Sequence, residues 1–207
     1  MYTFNIYDFY MQGGFFMHPI LICSIISLAI FMERLWSLRR KNVISYPLLQ
    51  NLERLLKDGK HSEAVSLCKA DNSSMSRIFM TGIKNFSKKR ERLKDVLEGI
   101  GSREAASLGK YIEGLATIAN VSTLLGLLGT ISGMIKIFAA ISHDVTVNPA
   151  VLAGGISEIL NATAFGLAVA IPTSIFYKFL TGKADALVAE MEEHTAYVLD
   201  MLKGSED

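Results

Sequence analysis

Positive charge is missing from two parts of this sequence. Of its 21 lysines and arginines, none lies in residues 1–33 and none in residues 142–149. All of them except Lys136 lie in residues 34–110 or 178–203. In membrane proteins, short loops that carry lysine and arginine stay on the cytoplasmic side. The distribution therefore predicts that the N-terminus and the 142–149 connection lie outside, and that the middle segment and the C-terminal tail are cytoplasmic.

Cysteine and histidine are also scarce. Cys23 lies in an apolar run and Cys68 in the charged middle segment, so neither a disulfide framework nor a metal site is expected. The four histidines are scattered without metal-ligand spacing. No Ser-His-Asp, Cys-His or paired-carboxylate set indicates covalent or hydrolytic catalysis. The sequence therefore predicts neither a cofactor nor an enzyme.

Half of the residues are hydrophobic, and they are concentrated in three runs. Residues 15–32 contain no charge, residues 115–141 contain only Lys136, and residues 147–177 contain only Glu158. About 20 apolar residues suffice for a helix to cross a bilayer. The first run lacks a positively charged start and a small-residue cleavage site, so we interpret it as a retained anchor rather than a signal peptide.

These features predict an all-α integral membrane protein with three transmembrane helices, whose long helices extend into a cytoplasmic helical bundle. The predicted parts, in chain order, are an outside N-terminal segment (1–14), transmembrane helix 1 (15–35), a cytoplasmic helical segment (36–112), transmembrane helix 2 (113–141), an outside loop (142–149), transmembrane helix 3 (150–178) and a cytoplasmic C-terminal helix (179–207).

Within the cytoplasmic parts, apolar periodicity predicts short helices from about Ser45 to Gly59, over residues 62–70 and over residues 75–86. No proline follows Glu91 until residue 149, so one continuous helix is expected to run into the second span.

The basic run at residues 87–90 has no interleaved aromatics, which favours contact with lipid headgroups over nucleic-acid binding. Beyond the third span, steps of four and three predict a coiled-coil-like seam, formed by Leu180, Ala184, Leu187, Met191, His194, Val198 and Met201.

Glu158 is the strongest functional signal, because a charge at membrane depth costs at least ~2.5 kcal/mol and normally faces a bundle interior or an aqueous path. Rise per residue places it about 12 Å from the outer boundary, with Thr130 about 16 Å and Thr163 about 20 Å deep. We expect these three to form a polar column. Asn161, one turn below Glu158, either orients the carboxyl group, holds water or binds a neighbouring helix. Lys136 is interpreted as snorkelling to the outer interface.

Small residues form a stripe along the second span, which permits close helix approach in lipid. The stripe predicts assembly of several copies through this face. Its members are Ala119, Ser122, Gly126, Gly129 and Gly133, and Gly155 and Gly166 of the third span are assigned the same packing role.

Two motifs carry a resemblance to a known family. They are Gly-Leu-Leu-Gly-Thr-Ile-Ser-Gly at residues 126–133 and Gly-Ile-x-Glu-x-x-x-Ala-Thr-Ala-x-Gly-Leu at residues 155–167. They resemble the MotA/TolQ/ExbB proton channel family, in its three-span ExbB/TolQ branch, with the ExbB type favoured. Two residues depart from the family pattern. Asn161 stands where the family usually has an apolar residue, and Lys136 stands where histidine or another residue is common.

The resemblance implies a homopentamer whose second and third spans line a central pore. The pore would hold the single transmembrane helices of two copies of an ExbD/TolR-type partner, which acts with a TonB- or TolA-type protein. By motif position, Glu158, Thr130 and Thr163 would be the pore-lining polar residues. Together with Glu158, the resemblance indicates a pore-forming, stator-like subunit of a motor driven by the proton-motive force. A non-conducting scaffold that anchors the partner and a sodium-driven variant of this motor remain open as alternatives.

Overall fold

The structure, a computed structural model, describes residues 14–143 and 149–203. Residues 1–13 of the predicted outside segment, 144–148 of the predicted loop and 204–207 lie outside the described residues. The described chain forms α-helices and no strands. The helices are α1 (Met17–Ser37), α2 (Arg40–Val43), α3 (Tyr46–Lys57), α4 (His61–Ala70), α5 (Ser74–Lys84), α6 (Arg90–Gly109), α7 (Ile112–His143) and α8 (Pro149–Lys203).

Three stretches of helix are long and apolar enough to cross a membrane. They lie within Met17–Ser37, Arg90–Ser142 and Leu152–Lys203. In the most apolar part of each stretch, at most 28% is buried inside the chain. Most of the apolar surface of these helices is therefore available to contact lipid or further protein. The predicted all-α fold with three membrane-spanning helices is confirmed.

The chain divides into two compact units. The membrane unit consists of Met1–Met32 and Tyr111–Phe179, and the polar unit consists of Glu33–Lys110 and Leu180–Asp207. The helices α1 and α8 contribute residues to both units.

The polar unit contains the short helices that the sequence predicts. Their observed bounds, in α3, α4 and α5, agree with the predicted ones to within two residues. Ser73 caps α5, because its side-chain oxygen accepts a hydrogen bond from the backbone N–H of Ser76 at 3.2 Å. The core is apolar and includes Leu48, Leu52, Ala64, Met75, Ile78, Phe79, Leu93 and Leu97.

The predicted seam of α8 contributes to the same core. Leu180, Ala184, Leu187, Met191 and Val198 are buried. His194 and Met201 are partly exposed, which places them at the edge of the buried surface rather than within it.

The predicted continuous helix from Glu91 into the second span is wrong. The backbone of Lys110 is extended (φ −55°, ψ 136°) and Tyr111 has a left-handed φ of 66°, so α6 ends before α7 begins. The helix ends at Gly109, a residue type of low helix propensity. Apolar periodicity did not reveal the break, because two non-helical residues change the spacing of apolar positions very little.

An ion pair joins two helices of the polar unit. Arg77 donates from Nε to Oε1 of Glu104 at 2.7 Å and from Nη2 to the other carboxylate oxygen at 2.5 Å. The Glu104 side chain is only 11% exposed. Burial alone would raise the pKa of this carboxyl group, but hydrogen bonds from Arg77 and Ser74 outweigh burial, and the pKa is lowered.

Glu104→Gln should lower the midpoint of thermal unfolding and reduce the free energy of unfolding by about 1–2 kcal/mol. Glutamine keeps the size of the side chain, but it removes a charge-assisted bidentate pair. Glu98→Gln is the matched control, since Glu98 and its partner Lys94 are both more than 60% exposed.

The effect of Glu104→Gln should depend on pH. Since the folded pKa of Glu104 is lowered, its stabilisation is fully present above the unperturbed value of 4.5 and is lost as the pH falls through the folded pKa. Thermal unfolding measured at several pH values checks this. Equal midpoints for Glu104→Gln and the unsubstituted protein at neutral pH would show that the pair contributes nothing.

Candidate functional site

Glu158 is the centre of the candidate site. Its side chain lies on α8 in the membrane unit and is 25% exposed. It packs against the backbone of Gly14, where an added Cβ would lie only 2.3 Å from the Glu158 Oε1 atom. Gly14 also has a left-handed φ of 74°, so glycine suits both the backbone conformation and the space beside the carboxylate.

Lys136 on α7 pairs with this carboxylate. Its Nζ atom lies 2.5 Å from the Glu158 Oε1 atom. The sequence interpretation that Lys136 snorkels away to the interface is therefore incomplete. Its side chain is 59% exposed, as a snorkelling lysine would be, but the charged end turns toward Glu158. The pair places opposite charges on neighbouring helices of the hairpin.

The two threonines of the predicted polar column, Thr130 and Thr163, make hydrogen bonds to partners other than Glu158. Thr163 follows Glu158 by five residues, which places it about 140° further round α8. The Thr163 hydroxyl donates to the Ile159 carbonyl oxygen at 3.1 Å, and the Thr130 hydroxyl donates to the Leu127 carbonyl oxygen at 2.6 Å. In the described chain both hydroxyls thus bond within their own helices, as threonine commonly does.

Asn161 also bonds within α8. Its side-chain nitrogen lies 3.5 Å from the Ser157 hydroxyl oxygen, one turn earlier. The side chain is partly exposed. Its amide is directed to Ser157 rather than to the Glu158 carboxyl group.

The glycines lie where α7 meets α8 of the same chain. A Cβ added at Gly166 would lie 2.8 Å from the Ser122 carbonyl oxygen and 2.9 Å from the Gly126 Cα atom. A Cβ added at Gly133 would lie 2.3 Å from Ile159, so this contact also leaves no room for a side chain. The close approaches also involve Gly126, Gly129 and Gly155, whose added Cβ atoms would meet Ala162, Thr163, Gly166 or Ile137.

This packing corrects the prediction that the small-residue stripe joins separate copies. The stripe is covered by the chain's own third span, and its remaining members Ala119 and Ser122 are buried too. Sequence spacing shows that a helix face permits close approach, but it does not show whether the approaching helix belongs to the same chain. The apolar surface left uncovered lies on other faces and includes Leu124, Leu128, Ile131, Ile135, Phe138, Ile156, Leu160, Leu167 and Ile171.

No group of three or more histidine, cysteine, aspartate and glutamate side chains within residues 14–143 and 149–203 is arranged to hold a metal ion. Cys23 and Cys68 are free thiols. Burial, followed by the charge of Asp71, raises the pKa of Cys68 to about 11, so this thiol stays protonated at neutral pH.

Three long apolar helices, one of which carries a carboxylate within its apolar stretch, are typical of membrane proteins that handle ions. The sequence model of the MotA/TolQ/ExbB proton channel family matches residues 70–193, more than half of the chain. The chain therefore belongs to this family and is a multi-pass membrane protein of the ExbB/TolQ type.

Individual relatives agree with this placement. A putative biopolymer transport protein, ExbB-like 3, from Synechocystis sp. is 30% identical over 80% of this chain and 80% of its own length. A putative ExbB homologue from Methanothermobacter thermautotrophicus is 27% identical over 91% of this chain and 67% of its own. A Tol-Pal system protein TolQ from Haemophilus influenzae is 35% identical over 54% of each chain.

Proposed function

We propose that this chain is the pore-forming, stator-like subunit of a motor driven by the proton-motive force in the inner membrane. It energises an ExbD/TolR-type partner for outer-membrane import of the TonB type or for envelope maintenance of the Tol type. The observation that carries the proposal is Glu158, the one charged residue of the apolar run 147–177. Membership of a proton channel family and the names of the relatives support it.

The energetic argument favours a conducting role over a passive one. A charge at membrane depth costs at least ~2.5 kcal/mol, a cost that the pairing of Glu158 with Lys136 offsets in part. An apolar contact between the two helices would serve a scaffold equally well, because replacing a buried ion pair by apolar residues is often neutral or stabilising. A proton that crosses 100 mV releases about 2.3 kcal/mol, which an ionisable side chain can help to transfer. The scaffold is therefore the weaker candidate, and the chain is proposed to act as a channel subunit rather than as an enzyme.

The proposed assembly is a homopentamer around two copies of the partner's single transmembrane helix, with a TonB- or TolA-type protein attached to that partner. The uncovered apolar faces of α7 and α8 support it, because they offer surface for neighbouring subunits, the partner and lipid. The asymmetry of lysine and arginine supports a periplasmic N-terminus and a cytoplasmic C-terminus. In this orientation Glu158 is nearer the periplasmic end of its span.

Co-expression with the ExbD/TolR-type protein of the same genome tests the proposal. Native mass spectrometry of the purified complex should give five copies of this chain with two of the partner. The Glu158→Gln variant should give the same masses, because it keeps the shape and hydrogen bonding of the side chain. A chain that stays monomeric, or that does not retain the partner, would contradict the proposed assembly.

A further inference from the structure

We propose that residues 109–112 are a two-state joint, at which α6 and α7 exchange between the observed break and one continuous helix, and that Arg34 stabilises the broken state. Elements with two discrete arrangements are the parts of a protein that carry conformational change. The inference goes beyond the proposed function, because it concerns the backbone of the chain rather than the ion that crosses the membrane.

The first observation is the backbone strain at Tyr111. Its φ of 66° is left-handed, a conformation that glycine adopts freely but that is costly for a residue with a Cβ atom. Among the residues that the structure describes, Tyr111 is the only one other than glycine with a positive φ. Strain of this kind persists only where the surrounding structure holds it, and it is common in switch regions.

The second observation is that the local sequence permits an uninterrupted helix. Proline is absent from residues 91–148. Gly109 is the weakest helix former at the break, and it is already helical as the last residue of α6. Leu108 and Ile112 flank the break, are both buried and are four residues apart, the spacing at which side chains share one face of a helix. The break is therefore held by contacts rather than imposed by a helix-breaking residue.

The third observation is a side chain that takes the place of a helical hydrogen bond. In an uninterrupted helix the Ser107 carbonyl oxygen would accept the backbone N–H of Tyr111, four residues further on. Because α6 ends at Gly109, this carbonyl is among the last four of the helix, which have no partner within it. The Arg34 Nη1 atom donates to it at 3.4 Å. The Arg34 side chain is only 9% exposed and also pairs with Glu33.

These contacts define two states in which the same carbonyl oxygen accepts different donors. In the broken state Arg34 gives Ser107 a charge-assisted hydrogen bond, and Tyr111 bears the strain. In the continuous state the Tyr111 N–H would bond to Ser107 and the strain would be released, while Arg34 keeps Glu33 as its partner. Arg34 lies in the last turn of α1. The end of the first helix thus controls whether α6 continues into α7.

Distance measurement by electron paramagnetic resonance on the full chain in lipid nanodiscs tests the proposal. Cys23 and Cys68 are replaced by alanine, and spin labels are attached at the exposed positions Ser102 and Asn120. Labelled chains are diluted with unlabelled ones to remove distances between copies. The two positions are 18 residues apart, so a continuous helix would separate their backbones by ~27 Å on one face. The unsubstituted protein should show this distance and a second one from the broken state.

Substitutions at the joint should change the ratio of continuous to broken chains in opposite directions. Tyr111→Gly removes the cost of the left-handed conformation, whereas the matched control Tyr111→Ala removes the same ring but keeps a Cβ atom. The ratio should be roughly 5–30-fold lower in Tyr111→Gly than in Tyr111→Ala. Arg34→Met should raise the ratio above that of the unsubstituted protein, because it removes the side-chain donor to Ser107.

If Arg34→Met does not give a helical, monodisperse protein, Arg34→Lys takes its place, because a single ammonium lacks the fork that reaches Glu33 and Ser107 together. Equal ratios in Tyr111→Gly and Tyr111→Ala, or a ratio that the substitution of Arg34 leaves unchanged, would overturn the proposal. Because the measurement involves neither a partner nor proton flow, its outcome is independent of whether the motor function is correct.

Discussion

Glu158→Ala and Glu158→Gln should both abolish proton-driven work by the assembled complex. Alanine removes the carboxyl group altogether, whereas glutamine keeps its shape and hydrogen bonding but does not titrate. If the carboxylate passes protons to or from the partner, both variants lose transport, while assembly persists in Glu158→Gln. Growth that depends on the partner's output, scored beside the amount of complex in the membrane, measures this loss.

Two hydroxyl deletions serve as controls for Glu158. Thr130→Val and Thr163→Val should weaken transport less, because each hydroxyl donates to a carbonyl oxygen of its own helix and does not titrate. The backbone carbonyl keeps its place in the helix when the hydroxyl is removed. Full activity of Glu158→Ala would overturn the assignment and favour a scaffold.

Gly166→Ala should destabilise the hairpin strongly. An added Cβ would lie 2.8 Å from the Ser122 carbonyl oxygen and 2.9 Å from the Gly126 Cα atom, so two helix backbones have to move apart. Overpacking of this kind typically costs about 1–3 kcal/mol and sometimes more. The thermal unfolding midpoint and the yield of protein inserted in the membrane should both fall.

Gly154→Ala is the matched control for Gly166→Ala, because a Cβ at Gly154 meets nothing within 4 Å. Alanine favours a helix over glycine by about 1 kcal/mol, so the control should be neutral or slightly stabilising. If Gly166→Ala dissociates copies of the chain but leaves each one as stable as before, the stripe joins subunits and its assignment to the hairpin is wrong.

Much of the fold follows from the sequence because the signals are local. Apolar runs long enough to span a bilayer predict α1, α7 and α8, and helical periodicity predicts the short helices of the polar unit. Backbone breaks are harder to predict. Tyr111 adopts a left-handed conformation that costs an ordinary residue roughly 1–2 kcal/mol, and its side-chain type gives no warning of this.

The site is predicted only in part, because its key contact depends on tertiary register. Lys136 and Glu158 are 22 residues apart and meet only through the pairing of α7 with α8. The sequence nevertheless contained an indication that Lys136 and Glu158 pair. They are the only charged residues of their apolar runs, have opposite signs and lie at similar depths, about 8 Å and 12 Å from an outer boundary placed at residues 141 and 150. Comparison of those depths would have predicted the pair.

The central claim is that protons cross the membrane through this chain and its partner by way of Glu158. Its most direct test is proton flux into proteoliposomes that contain the purified complex, driven by an imposed membrane potential and reported by a pH-sensitive dye. The account predicts flux with the unsubstituted chain and only background leakage with Glu158→Gln, at equal complex content. Equal flux through both complexes would contradict it.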